Sequence, residues 1–280
     1  MRDRAYAKIN ISLDVVSRRD DGYHELNMIM LPITFYDMVD IKFSRDMKFV
    51  SNVKYISKKA KGNTVLKVVE VLRKKYNFTE NFEIEVKKHI PTRAGLGGGS
   101  ADAAATIRIL NQMLNLNMTI EEMKIIGKEV GADVPFCIEN KPALVKGIGE
   151  KIEKFNVNCD FWILLVKPRV GISTKKSFSK LDLALCDHPD CELIKECLIN
   201  NDYNALCSNL GNSLEQPSFL IAPKIKDIKN ELLDLGCDVA LMSGSGSTVF
   251  GLSKSEAIID EANKNLKNKG YFVRKVKILK

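Results

Sequence analysis

An α+β fold in two domains is what the sequence predicts. Strand-like and helix-like stretches are mixed along the 280 residues without strict alternation, which argues against a parallel sheet built from βαβ units. The pattern restarts after about residue 155, so we expect one domain over residues 1–155 and a second over 156–280. Hydrophobic residues make up 45% and charged residues 28% of the chain, an ordinary globular composition that excludes a wholly disordered protein.

The first domain is predicted to begin with strands and a helix. Apolar residues at every second position over 7–15 indicate a half-buried strand, and strand-like stretches continue beyond a turn at 18–24. Apolar residues at helical spacing over 65–72 then predict a helix, with Asn63 near its N-terminal cap. Alternation returns at 82–86, which indicates a further strand.

Two more helices follow a glycine-rich segment. Apolar residues at helical spacing over 103–114 mark the buried face of the first. Thr119 followed three residues later by Glu122 is a capping box, so a second helix is expected to begin there and to end near Gly131. Pro135 lies just beyond that end, and we expect it to forbid further helix.

The second domain is predicted to open with a strand and to close with a helix and a strand. Helical segments between them extend through about residue 235, with few sharp boundaries. A Ser-Gly loop at 243–247 separates two short strands. The expected strands are at 161–166, 239–242, 248–250 and 271–278, and the last helix is at 256–268.

Composition narrows the class of function. The 43 Lys and Arg against 35 Asp and Glu give a net charge of +8, which favours anionic partners such as nucleotides, sugar phosphates, nucleic acid or acidic membranes. The seven cysteines are odd in number and include no Cys-x-x-Cys pair, and the cluster at 186–197 fits no common zinc spacing. We find neither a signal-peptide core nor an apolar run of membrane length, so we expect a cytoplasmic protein.

The glycine cluster at 95–99 is the most informative feature. Four glycines in five residues, between a strand and a helix, allow backbone N–H groups to approach an anion beside the helix N-terminus. A flexible hinge or a close-packed turn is the alternative explanation. The segment lacks the Gly-Lys-Ser/Thr end of a Walker A loop and the third small residue of a Rossmann fingerprint. We therefore expect a phosphate loop of another kind.

Three polar side chains, Asp133, Lys8 and Asn10, are candidates for catalytic or binding residues. Asp133 lies on a loop flanked by glycine and proline and suits a general base or charge stabiliser, although a lone aspartate there is more often a turn former. Lys8 and Asn10 share one face of the first strand, which by itself indicates a solvated face. Their assignment therefore depends on the other motifs.

Two loops remain open to more than one explanation. His24, after Gly22 and Tyr23, is typical of a surface turn. The segment Ser243–Ser247 fits a plain hairpin because Ser-Gly repeats are common in turns, and it also suits a contact with a polyphosphate.

Together these motifs resemble the GHMP kinases. The resemblance covers most of the chain in the same order and is weak only across about 180–235. The turn containing Tyr23 and His24 is typical of members whose substrate carries cytidine diphosphate. The matching segments are Ala7–Asn10, Asp21–His24, Gly95–Ala104, Gly131–Phe136 and Ser243–Ser247.

The resemblance implies a fold and an activity. We expect a ribosomal protein S5-like N-terminal domain that binds ATP, a ferredoxin-like C-terminal domain, and an active site in the cleft between them. The activity implied is transfer of the γ-phosphoryl group of ATP to an alcohol of a cytidine-diphosphate-linked polyol. Mg²⁺ would be carried with ATP, and no side chain is assigned as a metal ligand.

Residue roles follow from the same resemblance. Asp133 would be the base toward the substrate hydroxyl, with Lys8 beside it. The substrate-binding residues would be Asn10, Tyr23, His24, Thr174 and Phe178, the last stacking on cytosine. The ATP-binding residues would be Asn63, Pro91, Thr92, Arg93, Ala94, Gly95, Leu96, Gly97, Gly98, Gly99, Ser100 and Ala101.

Two departures and two alternatives accompany this interpretation. Ala101 replaces a serine common in the loop, and Lys175 and Lys176 stand before Phe178 where more apolar residues are expected. The first alternative is another small-alcohol kinase of the family, for homoserine or mevalonate. The second is an S5-like RNA-binding protein, which the net charge suits but the missing arginine and aromatic clusters do not. We expect no nucleic acid or membrane partner, and a monomer or weak homodimer.

Overall fold

A computed structural model describes residues 1–54, 56 and 62–279 of the chain. They form two compact units, each with its own internal contacts. Unit 1 comprises 1–8, 35–92 and 97–140, and unit 2 comprises 9–34, 93–96 and 141–280. The units interleave along the chain, and the predicted domain limits at 155 and 156 stay a prediction.

Two long strands pass through both units. These are β1 (Arg2–Arg18) and β2 (His24–Ser44). The first is buried more completely than expected, because the polar residues Lys8, Asn10 and Ser12 are buried as well as the alternating apolar ones. The predictions of a half-buried strand and of a solvated polar face are therefore wrong, and those polar groups must find partners inside the protein.

The described part of unit 1 combines short strands with the helices α1–α4, whose bounds are given below. Residues 38–44 of β2 pair antiparallel with β4 (Asn81–Lys87), and β3 (Lys48–Ser51) pairs parallel with β4. Phe82, Ile84 and Val86 of β4 are buried, as their alternation predicts. The elements are β3 (Lys48–Ser51), α1 (Thr64–Tyr76), β4 (Asn81–Lys87), α2 (Gly98–Met113), α3 (Ile120–Val130) and α4 (Val134–Glu139).

The helix starts of unit 1 follow their local chemistry. Asn63 caps α1, because its Oδ1 accepts a hydrogen bond of 2.9 Å from the Val65 N–H. Thr119 and Glu122 form the predicted capping box of α3. The expectation that Pro135 forbids further helix is wrong. Pro135 lies in the first turn of α4, where a proline is tolerated because its missing N–H would be unpaired anyway.

Unit 2 is built on an antiparallel sheet in the order β10 (Phe272–Val276), β7 (Trp162–Lys167), β9 (Val249–Ser253) and β8 (Val239–Met242). Residues 26–30 of β2 pair with β5, which pairs with β6. The five helices α5–α9, some opened by aspartate caps, occupy the stretch where sequence boundaries are not sharp. The elements are β5 (Ala143–Gly147), β6 (Lys151–Lys154), β7 (Trp162–Lys167), α5 (Thr174–Phe178), α6 (Cys191–Asn200), α7 (Tyr203–Asn209), α8 (Glu215–Ile221), α9 (Lys224–Asp234), β8 (Val239–Met242), β9 (Val249–Ser253), α10 (Glu256–Asn268) and β10 (Phe272–Val276).

The length and polarity of the helices decide whether any of them could cross a membrane. Within residues 1–54, 56 and 62–279, every helix is too short or too polar to cross a bilayer.

Candidate active site

The glycine segment meets the start of α2 in unit 1. Gly97 adopts a left-handed backbone with φ of 67°, and a Cβ there would lie 2.9 Å from Cγ of Lys8. A Cβ on Gly98 would lie 2.9 Å from Cγ2 of Ile90, whereas Gly99 has room for one. Close packing thus requires Gly97 and Gly98. The first amide groups of α2 have no partner inside the helix, and Gly97 has no side chain to cap them, so they can receive an anion.

Lys8 and Asp133 form an ion pair in unit 1. Nζ of Lys8 lies 3.3 Å from Oδ2 of Asp133, and Lys8 is only 5% exposed. Asp133 is the N-cap residue of α4, and among the described residues its carboxylate makes no capping hydrogen bond. About a third of that side chain is exposed, at 33%. A reachable carboxylate held against a buried ammonium can accept a proton and tolerate charge nearby.

Helix α1 supports both of these features. The Thr64 hydroxyl donates a hydrogen bond of 2.8 Å to the Gly99 carbonyl. Lys67 donates to the carbonyls of Glu129 and Val130 at the end of α3, at 2.5 and 3.2 Å. Lys67 therefore fixes the backbone just before the loop of Asp133. Neither residue stands out in the sequence, because each looks like an ordinary exposed position of a helix.

A buried charge cluster lies under the start of α2. Nζ of Lys88 contacts the carboxylates of Asp37 and Asp102, the latter at 2.6 Å. Oδ1 of Asp37 accepts hydrogen bonds from the N–H groups of His89 and Ile90, at 2.5 and 2.8 Å. We define these three charged residues, Lys88, Asp37 and Asp102, as the Lys88 cluster, and none of them is a predicted site residue.

In unit 2 the Ser-Gly loop packs on residues 93–96 of the glycine segment. The Ser243 hydroxyl donates to the Gly95 carbonyl at 3.0 Å, and the Thr248 N–H donates to the Ala94 carbonyl at 3.2 Å. A Cβ on Gly95 would lie 2.0 Å from the Ser243 carbonyl oxygen, so only glycine fits there. The Ser-Gly loop is therefore a packing partner of the glycine segment as well as a connection between β8 and β9.

Residue Asn212, from the stretch without recognised motifs, fixes the Ser-Gly loop. Its Nδ2 donates to the carbonyls of Met242 and Gly244, at 2.7 and 2.9 Å. Its Oδ1 accepts from the Leu214 N–H at 2.9 Å. A buried asparagine with three hydrogen bonds rigidifies the loop it supports. The run Gly211-Asn212-Ser213 is the local signal of a turn here.

The rings of His24 and Phe178 stack on each other in unit 2. Their centroids are 4.8 Å apart and the ring planes are inclined by 29°. Burial lowers the pKa of His24 below its ordinary value, and the charge of Arg18 lowers it further. The ring is therefore uncharged near neutral pH, as suits stacking. Both side chains are half-buried, so aromatic surface remains accessible.

Helix α5 carries Phe178 and is anchored by hydroxyl groups. The Thr174 and Ser245 hydroxyls lie 2.9 Å apart, and the Ser177 and Ser218 hydroxyls 2.8 Å apart. Ser218 also donates to the Ser245 carbonyl at 3.3 Å. The structure thus brings the predicted residues Thr174 and Phe178 together with the Ser-Gly loop and with His24.

The other predicted substrate residues differ in exposure. Asn10 is 1% exposed, its N–H donates to the Ser243 hydroxyl at 3.2 Å, and its Nδ2 lies 3.1 Å from Sδ of Met28. Tyr23 is 62% exposed, and its N–H donates to the Asp21 carboxylate at 3.0 Å. The Tyr23 ring is therefore open to a ligand, whereas Asn10 is part of the packing around the Ser-Gly loop.

The remaining predicted ATP-binding residues divide by exposure. Asn63 uses its side-chain oxygen to cap α1. Arg93 has a positive φ of 50°, and its side chain packs against Gly171. The buried ones are Ala94, Leu96 and Ala101, and the exposed or half-buried ones are Pro91, Thr92, Arg93, Gly99 and Ser100.

Comparison with known proteins identifies the family. The sequence profile of the GHMP kinases N terminal domain matches residues 63–141, and the profile described as GHMP kinases C terminal matches residues 194–271. A 4-diphosphocytidyl-2-C-methyl-D-erythritol kinase of Bacillus cytotoxicus is 40% identical over 251 residues, which cover 89% of this chain and 86% of the relative.

Solved structures agree with this result. The crystal structure of a 4-(cytidine 5'-diphospho)-2C-methyl-D-erythritol kinase superposes with a TM-score of 0.83 at 26% identity, over 99% of both chains. The homoserine kinase of Cytophaga hutchinsonii has a TM-score of 0.74 at 19% identity, over 98% of this chain and 94% of that one. The second likeness concerns the fold alone.

The chain belongs to the GHMP kinases and is a small-molecule kinase. Within that family it is similar to the 4-diphosphocytidyl-2-C-methyl-D-erythritol kinases, as the Bacillus relative and the first crystal structure indicate. The predicted α+β fold of a two-domain GHMP kinase is thereby confirmed. The homoserine or mevalonate kinase alternative and the RNA-binding alternative are less well supported.

Proposed function

We propose that this chain uses ATP to phosphorylate the 2-hydroxyl of 4-diphosphocytidyl-2-C-methyl-D-erythritol, a step of non-mevalonate isoprenoid precursor biosynthesis. The relatives at about 40% identity over most of the chain support this substrate. The observation on this chain that supports it best is the Lys8–Asp133 pair beside the start of α2. The second supporting observation is the stack of the His24 and Phe178 rings, which suits a pyrimidine base.

The acceptor in this reaction is a tertiary alcohol, because the carbon that bears it also bears the methyl group. Such a hydroxyl holds its proton near neutral pH, so transfer benefits from a base at the oxygen. Asp133 accepts that proton in our proposal. Lys8 lies 3.3 Å from Asp133, and its charge stabilises the developing alkoxide and orients the base.

The phosphates of ATP bind at the start of α2 in this proposal. Phosphoryl transfer asks a protein mainly for positioning and charge neutralisation. Unpaired backbone N–H groups and the positive end of the helix dipole supply both. Gly97 permits the packing that brings Lys8 up to the loop, and Gly98 permits the packing of Ile90 and Lys88 against it.

Mg²⁺ enters as part of the nucleotide substrate. Within the described residues, no group of three or more His, Cys, Asp or Glu side chains is arranged to hold a metal ion. Mg²⁺ commonly keeps several waters and binds through substrate phosphates, so nucleotide-borne Mg²⁺ fits this site. Bound there, it would neutralise phosphate charge.

Recognition of cytosine rests on the aromatic residues of unit 2 in our proposal. The base stacks on the Phe178 ring, with His24 and the exposed Tyr23 completing the site. The 4.8 Å between the His24 and Phe178 centroids leaves no space for a base between them. Cytosine therefore lies on an outer ring face, or displaces one ring. Homoserine and mevalonate have no base to stack.

The direct test is phosphorylation of a panel of acceptors by the purified chain with ATP and Mg²⁺. We expect rapid turnover of 4-diphosphocytidyl-2-C-methyl-D-erythritol and little of mevalonate, homoserine or galactose. Preference for homoserine or mevalonate would contradict the proposal. A thermal-shift screen adds a second readout, in which ATP stabilises the protein and RNA does not.

Three further expectations from the sequence stay predictions. They are a monomeric or weakly dimeric state, the lack of a nucleic-acid partner, and a cytoplasmic location. Sedimentation of the purified chain tests the first, and RNA titration tests the second.

A further inference from the structure

The Lys88 cluster is a buried charged group for which the proposed chemistry has no use. Lys88, Asp37 and Asp102 are all buried, and they carry two potential negative charges against one positive charge. Buried charges are costly unless they are paired and hydrogen-bonded. Asp37 meets that condition through two backbone N–H groups and Lys88.

Asp102 meets that condition at only one of its two carboxylate oxygens. Its Oδ2 accepts from Lys88 at 2.6 Å, but within the described part of the chain its buried Oδ1 has no hydrogen-bond partner. Burial raises the pKa of Asp102 to about 7, the charge of Lys88 lowers it, and the charge of Asp37 raises it. A carboxylate in this position exchanges its proton near neutral pH.

Among the described residues, the charged side chains that shift the pKa of Asp102 are Lys88 and Asp37. Helix α4 brings the Cys137 thiol, which burial keeps protonated by raising its pKa to about 12. Helices α1 and α3 pack on α2 through apolar side chains such as Val68 and Ile126. The charge state of Asp102 therefore depends on burial, on Lys88 and Asp37, and on any anion that binds at the start of α2.

The cluster lies directly beneath the proposed phosphate site. Asp102 follows Gly98 by one helical turn on the same face of α2, and a Cβ on Gly98 would lie 3.3 Å from Nζ of Lys88. Phosphates bound at that helix start add negative charge next to a carboxylate that is poorly paired. Like charges at short range favour the protonated form of the carboxyl group.

We propose that the Lys88 cluster balances charge beneath the phosphate loop, and that Asp102 takes up a proton from solvent when nucleotide phosphates bind at the start of α2. The proton goes to the Asp102 carboxyl group, which can then donate a hydrogen bond to the carboxylate of Asp37. The proposal rests on the proposed function, since it needs a nucleotide at this loop. Asp102 is thus a positioning residue that acts through the loop and not on the substrate.

The sign of the pH dependence follows from this linkage. Protonated Asp102 favours the bound anion, so nucleotide affinity is highest below the free pKa of about 7 and falls as pH rises through it. The decline is at most about tenfold per pH unit, and it ends above the higher pKa of the bound state.

Calorimetric titration of the whole chain with ADP and Mg²⁺ tests the proposal. At pH 7.5, in buffers of different ionisation enthalpy, the observed heat gives the number of protons taken up. ADP avoids turnover, and its phosphates are then largely deprotonated. We expect the parent to take up a substantial fraction of one proton, and Asp102→Asn to lose that uptake and its pH-dependent affinity.

A matched control is available in unit 2. Burial also raises the pKa of Glu215, although Lys229 opposes the shift, so Glu215→Gln removes a comparable carboxyl. We expect that variant to keep the parent's proton uptake. A parent that binds ADP without proton uptake overturns the inference and leaves the proposed function intact, as does equal uptake by Asp102→Asn. Failure of the parent to bind ADP overturns both.

Discussion

The two units prepare their ligands in different ways. Unit 1 presents charge that is already paired and largely buried, as in Lys8 with Asp133 and in the Lys88 cluster. Unit 2 presents half-buried rings and hydroxyl groups, as in His24 with Phe178 and Thr174 with Ser245. This difference indicates that catalysis and substrate recognition depend on different residues and can be altered separately. Changes in unit 1 should alter rate or nucleotide binding, and changes in the rings of unit 2 should alter substrate affinity.

The largest expected effect comes from replacing Asp133, the proposed catalytic base. Asp133→Asn keeps the side-chain shape but cannot accept a proton, so kcat should fall about 10²- to 10⁴-fold while both KM values change little. Lys8→Met should also lose rate, and the double variant should be little worse than the worse single one, because the pair acts as a unit. Steady-state kinetics over a range of pH measure this.

The control for Asp133 is Glu121→Gln, since that side chain is 77% exposed on α3. We expect it to keep the parent's kcat. A kcat near the parent's for Asp133→Asn would mean that Asp133 is a structural turn residue. Unit 1 would then not supply the catalytic base.

The second effect concerns the phosphate loop. Gly98→Val places methyl groups against Ile90 and Nζ of Lys88, where a Cβ alone comes within 2.9 and 3.3 Å. Overpacking of this kind costs the folded state about 1–3 kcal/mol. A shift of the loop would relieve that strain but would displace the backbone N–H groups proposed to hold the phosphates. We therefore expect ADP affinity to fall about tenfold or more, with unit 2 still folded. Calorimetric titration checks the affinity, and proteolysis with peptide mapping checks the folding.

Gly99→Ala is the matched control in the same loop. Its Cβ would meet the Thr64 hydroxyl at an ordinary 3.6 Å. ADP affinity close to the parent's is expected for this variant. If Gly98→Val also binds ADP normally, nucleotide phosphates do not approach this backbone.

The third effect lies in unit 2. Phe178→Ala removes a stacking surface, and base stacking is worth about 1–3 kcal/mol per base, which corresponds to a KM increase of roughly 5- to 150-fold. The KM for ATP and the kcat should stay near the parent's values. Phe178→Tyr should restore the KM, because the ring is retained. Unchanged kinetics for Phe178→Ala would mean that another residue stacks on cytosine.

The smallest effect concerns the cap of α1. Asn63→Ala loses the hydrogen bond to the Val65 N–H and should lower the free energy of unfolding by about 1 kcal/mol. Asn63→Asp keeps the cap and should keep stability, as denaturant unfolding will show. A large loss of ATP affinity in Asn63→Asp, with stability intact, would mean that Asn63 contacts the nucleotide directly.

Local chemistry is what the sequence predicts well. The capping box at Thr119 and Glu122, the cap at Asn63 and the strand alternation at 82–86 each depend on neighbouring residues, and the structure confirms them. Pro135 was misjudged because a proline that ends one helix can also begin the next. Residues were predicted best where their partners lie within one turn or one strand.

Partners distant in sequence account for what the sequence could not predict. Asp37 and Lys88 are 51 residues apart and meet only through the register of β2 with β4, in which Met38 faces Lys87. Asn212 supports the Ser-Gly loop from a stretch with no recognised motif. Nothing local distinguishes such a lysine or asparagine from a solvated one. The burial of Lys8 and Asn10 on β1 was missed for the same reason.

The separation of catalysis from substrate recognition is tested most directly with an acceptor that lacks the cytosine base. We would compare kcat/KM for the parent, Asp133→Asn and Phe178→Ala on the full substrate and on 2-C-methyl-D-erythritol 4-phosphate, the same acceptor without its cytidine monophosphate. We expect the parent and Phe178→Ala to become equal on the truncated acceptor, whereas Asp133→Asn should remain impaired. A Phe178→Ala deficit of the same size on both acceptors would contradict this separation.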